Sequence, residues 1–102
     1  MEDRNNPERA YHGIFIHANL FENGQLNFTE ACLLSFIRLY DVDDGCQLSS
    51  ENLAEMLNIS SFSIDSMIDH LINLELVYLN TSSETRALKV NEHNFCRLAY
   101  NF

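Results

Sequence analysis

Positively charged side chains are scarce in this sequence. Its 102 residues include six Lys and Arg against 15 Asp and Glu, which gives a formal net charge of −9. Nucleic-acid binders gain much of their affinity by neutralising phosphates and releasing counterions. DNA is therefore a disfavoured partner unless a locally basic patch exists. An alternative explanation of the negative net charge is that it merely keeps the protein soluble.

Closely spaced cysteines and long apolar runs are also missing. Cys32, Cys46 and Cys96 are too widely spaced to suggest a disulfide framework or a zinc site, so we expect reduced thiols. No apolar stretch approaches the roughly 18 residues that a membrane span needs. The charge pattern of the first six residues is unlike that of a secretory signal. These features predict a cytoplasmic protein that makes no membrane contact.

Nothing in the sequence indicates catalysis. The three glycines are isolated, and no spacing pairs the histidines with a nucleophile or a metal site; they are His12, His17, His70 and His93. The loop from Asp41 to Gly45 resembles the start of a calcium-binding loop, but the closing glutamate is replaced by Asn52. We expect no enzyme activity, no metal and no cofactor.

Local patterns predict the first half of the chain. Residues 1–10 are polar, contain the only proline and are expected to form a flexible arm. The β-branched and aromatic run from Tyr11 to Phe21 predicts a strand. Asn27 and Glu30 have the spacing of a capping box, so a helix is expected from Phe28 to Tyr40.

Two further helices and a hairpin are predicted after the aspartate-rich loop. Ser49 or Ser50 begins a helix that Asn58 ends, and strong 3.6-residue periodicity continues from Ile64 to Leu74. Two strand-like segments, 76–79 and 87–90, flank a polar connection. With a terminal amphipathic helix over 91–102, the predicted class is α+β in the order β-α-α-α-β-β-α.

The segment from Ser50 onwards matches the helix-turn-helix pattern. Its apolar positions are filled, the close crossing point carries Ala54, and Asn58 stands where glycine is usual; the apolar residues are Leu53, Leu57, Ile59, Ile64 and Met67. Together with the hairpin, this resembles the winged helix-turn-helix domains of plasmid and phage replication initiators and of DnaD-like primosome proteins. The resemblance implies one winged-helix domain over 11–90.

In such domains the third helix enters the major groove of DNA. The positions that the resemblance assigns to this role carry no Arg, Lys, Asn or Gln, the residue types that pair best with base edges; they are Ser60, Ser61, Phe62, Asp65, Ser66 and Asp69. Positive charge could come from Arg86 and Lys89 in the wing. The resemblance thus implies DNA binding, and the charges of this helix oppose it.

Phe62 offers a different function for the same surface. If it is exposed, it is an aromatic anchor among serines and aspartates, suited to a protein partner with a basic surface; alternatively, it packs onto the second helix or the wing. We expect a small regulatory adaptor or inhibitor of the kind that phages and mobile elements encode, acting through protein contacts and able to occupy a nucleic-acid-binding groove. The alternative is a DNA-binding transcriptional regulator or replication accessory protein.

The terminal helix carries one apolar stripe at i, i+3, i+4 and i+7, formed by Phe95, Leu98, Ala99 and Phe102. A stripe of this kind must be covered by its own domain or by a second copy. It therefore marks a candidate homodimer interface.

Overall fold

The computed structural model describes residues 15–100, which form one small compact α+β domain. This part of the chain contains five helices and a two-stranded antiparallel sheet. In chain order the elements are α1 (Asn19–Glu22), α2 (Phe28–Leu39), α3 (Ser50–Leu57), α4 (Ser61–Asn73), β1 (Val77–Leu79), β2 (Leu88–Val90) and α5 (Glu92–Tyr100).

Side-chain caps fix where the main helices begin. The Asn27 side chain accepts from the Glu30 backbone N–H at 2.8 Å, and the Glu30 carboxylate accepts from the Asn27 N–H at 3.0 Å. This reciprocal pair satisfies two backbone donors that α2 cannot satisfy internally. The predicted capping box is confirmed. Ser49 forms the equivalent cap with Asn52 at the start of α3.

The turn between α3 and α4 depends on a left-handed residue. Asn58 has φ 59° and ψ 45°, a conformation that asparagine tolerates better than other residues with a Cβ atom. The next backbone N–H, from Ile59, then donates to the carbonyl of Ala54 at 3.1 Å. The chain reverses sharply here, and α4 starts at Ser61.

The core lies between the helices and one face of the hairpin. Its fully buried large side chains come from all five helices, from both strands and from the loop after α2; they are Leu20, Leu33, Leu34, Ile37, Cys46, Leu53, Ile64, Leu71, Val77, Leu88 and Phe95. In the hairpin, Val77 pairs with Val90 and Leu79 with Leu88. Cys46 and Leu88 exchange backbone hydrogen bonds of 2.8 and 2.9 Å, which join the loop after α2 to β2.

The predicted opening strand is wrong for its described part, residues 15–21. The chain has no strand there, and α1 forms instead. Leu20 is fully buried, and the Asn19 side chain donates to the carbonyl of Ala99 in α5 at 3.0 Å. Tertiary packing has overridden the local β propensity. Residues 11–14 of that prediction, and the arm over 1–10, lie outside the described residues.

The predicted homodimer stripe also needs correction. Phe95 is 1% exposed and Ala99 is buried, both within the core of their own chain, while Leu98 is half-buried. The domain itself therefore covers most of the stripe, and these two residues are not available to a second copy. Phe102 lies outside the described residues.

Within residues 15–100, the helices are too short or too polar to cross a lipid bilayer.

Candidate interaction surface

Phe62 lies in the first turn of α4, and its side chain points into solvent. The turn is fixed by Ser60, whose hydroxyl accepts from the Ser63 backbone N–H at 3.1 Å. With this cap in place, Ile64 and Ile68 face the core and Phe62 faces outwards, where it is 79% exposed. Of the two placements considered for Phe62, the structure shows the exposed one.

The other predicted contact positions on α4 form a polar surface around Phe62. Asp65, Ser66 and Asp69 are exposed, and they recur at helical spacing on the outer side of the helix. Ser61 is half-buried. The surface near Phe62 is therefore acidic, because no Lys or Arg lies on α4.

Arg86 is held by contacts inside the domain. Its guanidinium donates to the Ser50 hydroxyl at 2.9 Å and to the Leu48 carbonyl at 2.8 Å, and it lies 3.8 Å from the Asp65 carboxylate. Ser50 also hydrogen-bonds Asp65. These contacts tie the hairpin to the start of α3 and to α4, so Arg86 offers little free charge to a phosphate.

Lys89, the second predicted wing cation, is engaged in the same way. Its ammonium lies 3.1 Å from the Asp41 carboxylate and donates to the Asp43 carbonyl at 3.3 Å. The bond to Asp41 raises the pKa of Lys89 above its ordinary value. Asp41 also accepts the Val90 backbone N–H at 2.9 Å. Lys89 therefore anchors β2 to the loop after α2.

A second exposed apolar and acidic region lies on that loop, and the sequence interpretation did not assign it. Val42 is 63% exposed, and Tyr40 is also exposed. The carboxylates of Asp43 and Asp44 have no hydrogen-bond or ion-pair partner among residues 15–100. The three aspartates between Asp41 and Asp44 are visible in the sequence, where they resemble the start of a calcium-binding loop. Their exposure beside Val42 is seen only in the structure.

Two adjoining surface clefts connect this loop to α4. The first, of about 420 Å³, is lined by residues of the 40–48 segment, including Val42, Asp43 and Asp44. The second, of about 380 Å³, is lined by Glu51, Asp65 and Arg86, among others. Gln47 and Leu48 line both clefts. The two clefts therefore adjoin at Gln47 and Leu48, and together they extend from the exposed loop to Asp65 on α4.

The histidine on α4 has a structural partner. His70 Nδ1 lies 2.6 Å from a carboxylate oxygen of Glu30, a residue that is largely buried and whose other oxygen caps α2. This contact links α2 to α4. Among residues 15–100, no group of three His, Cys, Asp or Glu side chains is placed to hold a metal ion.

The three cysteines are free thiols. Cys46 is fully buried beside β2, and its burial raises the pKa of the thiol. Cys32 is half-buried in α2, and desolvation raises its pKa as well. A raised pKa leaves less reactive thiolate at neutral pH.

The sequence matches no protein-family model, and neither a curated protein nor a solved structure has significant similarity to the chain.

Proposed function

We propose that this protein is a small regulatory adaptor or inhibitor that acts by binding a protein with a basic surface. The observation that carries the proposal is the exposure of Phe62, 79% of whose surface is open to solvent at the start of a helix whose outer face also carries Asp65 and Asp69. Exposed aromatic side chains of this kind commonly supply a large share of binding energy at protein interfaces.

The charge distribution supports a basic partner. Asp65 and Asp69 follow Phe62 on the outer side of α4. The two cations of the hairpin, Arg86 and Lys89, are engaged with internal carboxylates and carbonyls. Electrostatic attraction speeds the encounter of complementary surfaces and suppresses wrong partners. A positively charged groove that normally holds nucleic acid is complementary to this acidic surface, so the protein could inhibit its partner by occupying that groove.

The proposal also includes the type of domain and the location of the protein in the cell. The order of α2, α3, α4 and the hairpin supports a winged helix-turn-helix domain, used here for protein contact in the cytoplasm. Fold alone does not fix function, because the same scaffold serves DNA binding, protein binding and dimerisation.

Photo-crosslinking at position 62 tests the proposal. Phe62 is replaced by p-benzoylphenylalanine, which keeps the aromatic ring, and the variant is irradiated in cells that make the protein. Phe28, which is 56% exposed on α2, provides the matched control position. We expect a crosslink at position 62 to a protein whose contact surface is basic, and none at position 28. Equal labelling at both positions, or no labelling at position 62, would contradict the proposal.

A DNA-binding regulator or replication accessory protein is the second candidate. It is favoured by the left-handed turn at Asn58, φ 59°, between α3 and α4, and by the hairpin that follows α4; this order is the one expected of a helix-turn-helix with a wing.

Fluorescence anisotropy of labelled duplex DNA, titrated at low and then physiological salt, separates the two candidates. Micromolar binding that weakens as salt rises would support DNA recognition. An unchanged anisotropy even at low salt would remove this candidate and leave protein contact.

A further inference from the structure

We infer that the binding surface extends beyond Phe62 across both clefts to Val42, and that its ligand is an extended, arginine-rich polypeptide segment. We call this surface the acidic band; it comprises Phe62, Asp65, Glu51, Gln47, Leu48, Asp44, Asp43 and Val42. The inference deepens the proposed function and rests on it for the role of Phe62.

The two clefts adjoin at shared lining residues. Asp65 lies one helical turn after Phe62 on the same side of α4, and it lines the 380 Å³ cleft together with Glu51. Gln47 and Leu48 carry the surface from that cleft into the 420 Å³ cleft beside Asp43 and Asp44. A single extended chain that passes over Gln47 and Leu48 can therefore contact both clefts.

Charge complementarity identifies the ligand. The carboxylates of Asp43, Asp44 and Glu51 have no hydrogen-bond or ion-pair partner within residues 15–100, so their oxygen atoms are open to a ligand. The two cations near the band are already bound: Arg86 contacts Ser50, Leu48 and Asp65, and Lys89 contacts Asp41 and Asp43. A ligand with several positive charges is therefore attracted mainly to Asp43, Asp44 and Glu51, since Arg86 offsets part of the charge of Asp65.

The apolar ends of the band favour arginine over lysine. Phe62 and Val42 are the most exposed large side chains at its two ends. A guanidinium group stacks on an aromatic face and is more weakly hydrated than an ammonium, and it also binds carboxylates in a bidentate way. An arginine-rich segment can therefore use the carboxylates and Phe62 together.

The test titrates fluorescein-labelled octa-arginine with the protein and two double variants of equal charge. Asp43→Asn with Asp44→Asn removes two charges from the band, and the fold should be retained because Asn tolerates the φ of 53° at Asp43. Glu22→Gln with Glu75→Gln removes two exposed charges elsewhere. Octa-lysine is the second probe.

We expect the band variant to bind octa-arginine about 5–10-fold more weakly than the wild type, since each exposed ion pair contributes modestly. The control variant should bind within about twofold of the wild type, and octa-lysine should bind more weakly than octa-arginine. Equal weakening in both double variants would overturn the inference, because binding would then follow net charge alone. Equal affinity for the two probes would overturn the choice of arginine.

Phe62→Ala in the same titration separates this inference from the proposed function. Loss of affinity in both Phe62→Ala and the Asp43/Asp44 variant supports one band with Phe62 at its end. An effect of Phe62→Ala alone would refute the extension into the clefts and leave the proposed function standing. An effect of the Asp43/Asp44 variant alone would locate the ligand in the clefts and contradict the role proposed for Phe62.

Discussion

Replacing Phe95 by alanine tests whether α5 belongs to the core of its own domain. The Phe95 ring is 1% exposed, and the Arg38 guanidinium carbon lies 4.2 Å from its centroid. Arg38 is in turn held by Glu92, with a closest N–O distance of 3.1 Å. The substitution therefore removes a large core side chain and the platform beneath a cation.

Truncating a buried phenylalanine to alanine typically costs about 3–5 kcal/mol, because the lost contacts and the remaining cavity both count. A domain of about 100 residues loses roughly 5 °C in melting temperature for each kcal/mol, so the expected drop is about 15–25 °C. Loss of the stacked guanidinium adds about 0.5–1 kcal/mol, which brings the expected drop to about 18–30 °C. Thermal and urea unfolding followed by circular dichroism would measure the change.

Leu98→Ala on the same helix is the matched control. Because Leu98 is only half-buried, this substitution should lower the free energy of unfolding by less than Phe95→Ala does. Unfolding is measured at low and high protein concentration. If Phe95 served a dimer instead, its variant would be destabilised only at high concentration, where the wild type is dimeric. A loss below about 1 kcal/mol at every concentration would refute the burial argument. If Phe95→Ala does not fold, the milder Phe95→Leu allows the same comparison.

Three further outcomes are expected. Asn58→Ala should cost about 1 kcal/mol because alanine resists a φ of 59°, whereas Asn58→Gly should be nearly neutral; urea midpoints would show the difference, and equal losses would contradict it. Gly45→Ala should cost about 1–3 kcal/mol, since φ is +125° and a Cβ would lie 2.9 Å from the Leu88 carbonyl oxygen; an unchanged melting temperature would argue against it. Because Asp41 raises the pKa of Lys89, their pairing stabilises the fold below about pH 10.4 and is lost as pH rises through the folded-state pKa. The Lys89→Met variant should therefore lose less stability than the wild type on alkaline titration. Parallel curves of unfolding free energy against pH would contradict this.

Local signals in the sequence predicted the local structure well. The capping pair of Asn27 and Glu30 gave the start of α2, and Asn58 marked the turn after α3. Both signals act within a few residues along the chain, so no tertiary information is needed. The short α1 was missed because its formation depends on Leu20 packing in the core and on a contact between Asn19 and Ala99.

The electrostatic state of the hairpin could not be predicted in the same way. Arg86 and Lys89 look like available cations in the sequence, because their partners Asp65 and Asp41 are distant along the chain. Only folding brings each pair together. The exposure of Phe62 was left open for a related reason, since periodicity places a residue on a helix face without showing what covers that face.

The ammonium of Lys89 lies between the Asp41 carboxylate and a main-chain carbonyl of the aspartate-rich loop. An oxygen-lined position of this kind is one that a dissolved cation would otherwise compete for. In this protein the cation is part of the polypeptide and arrives with β2 when the hairpin folds. The loop therefore takes its shape in part from a cation that belongs to the chain itself.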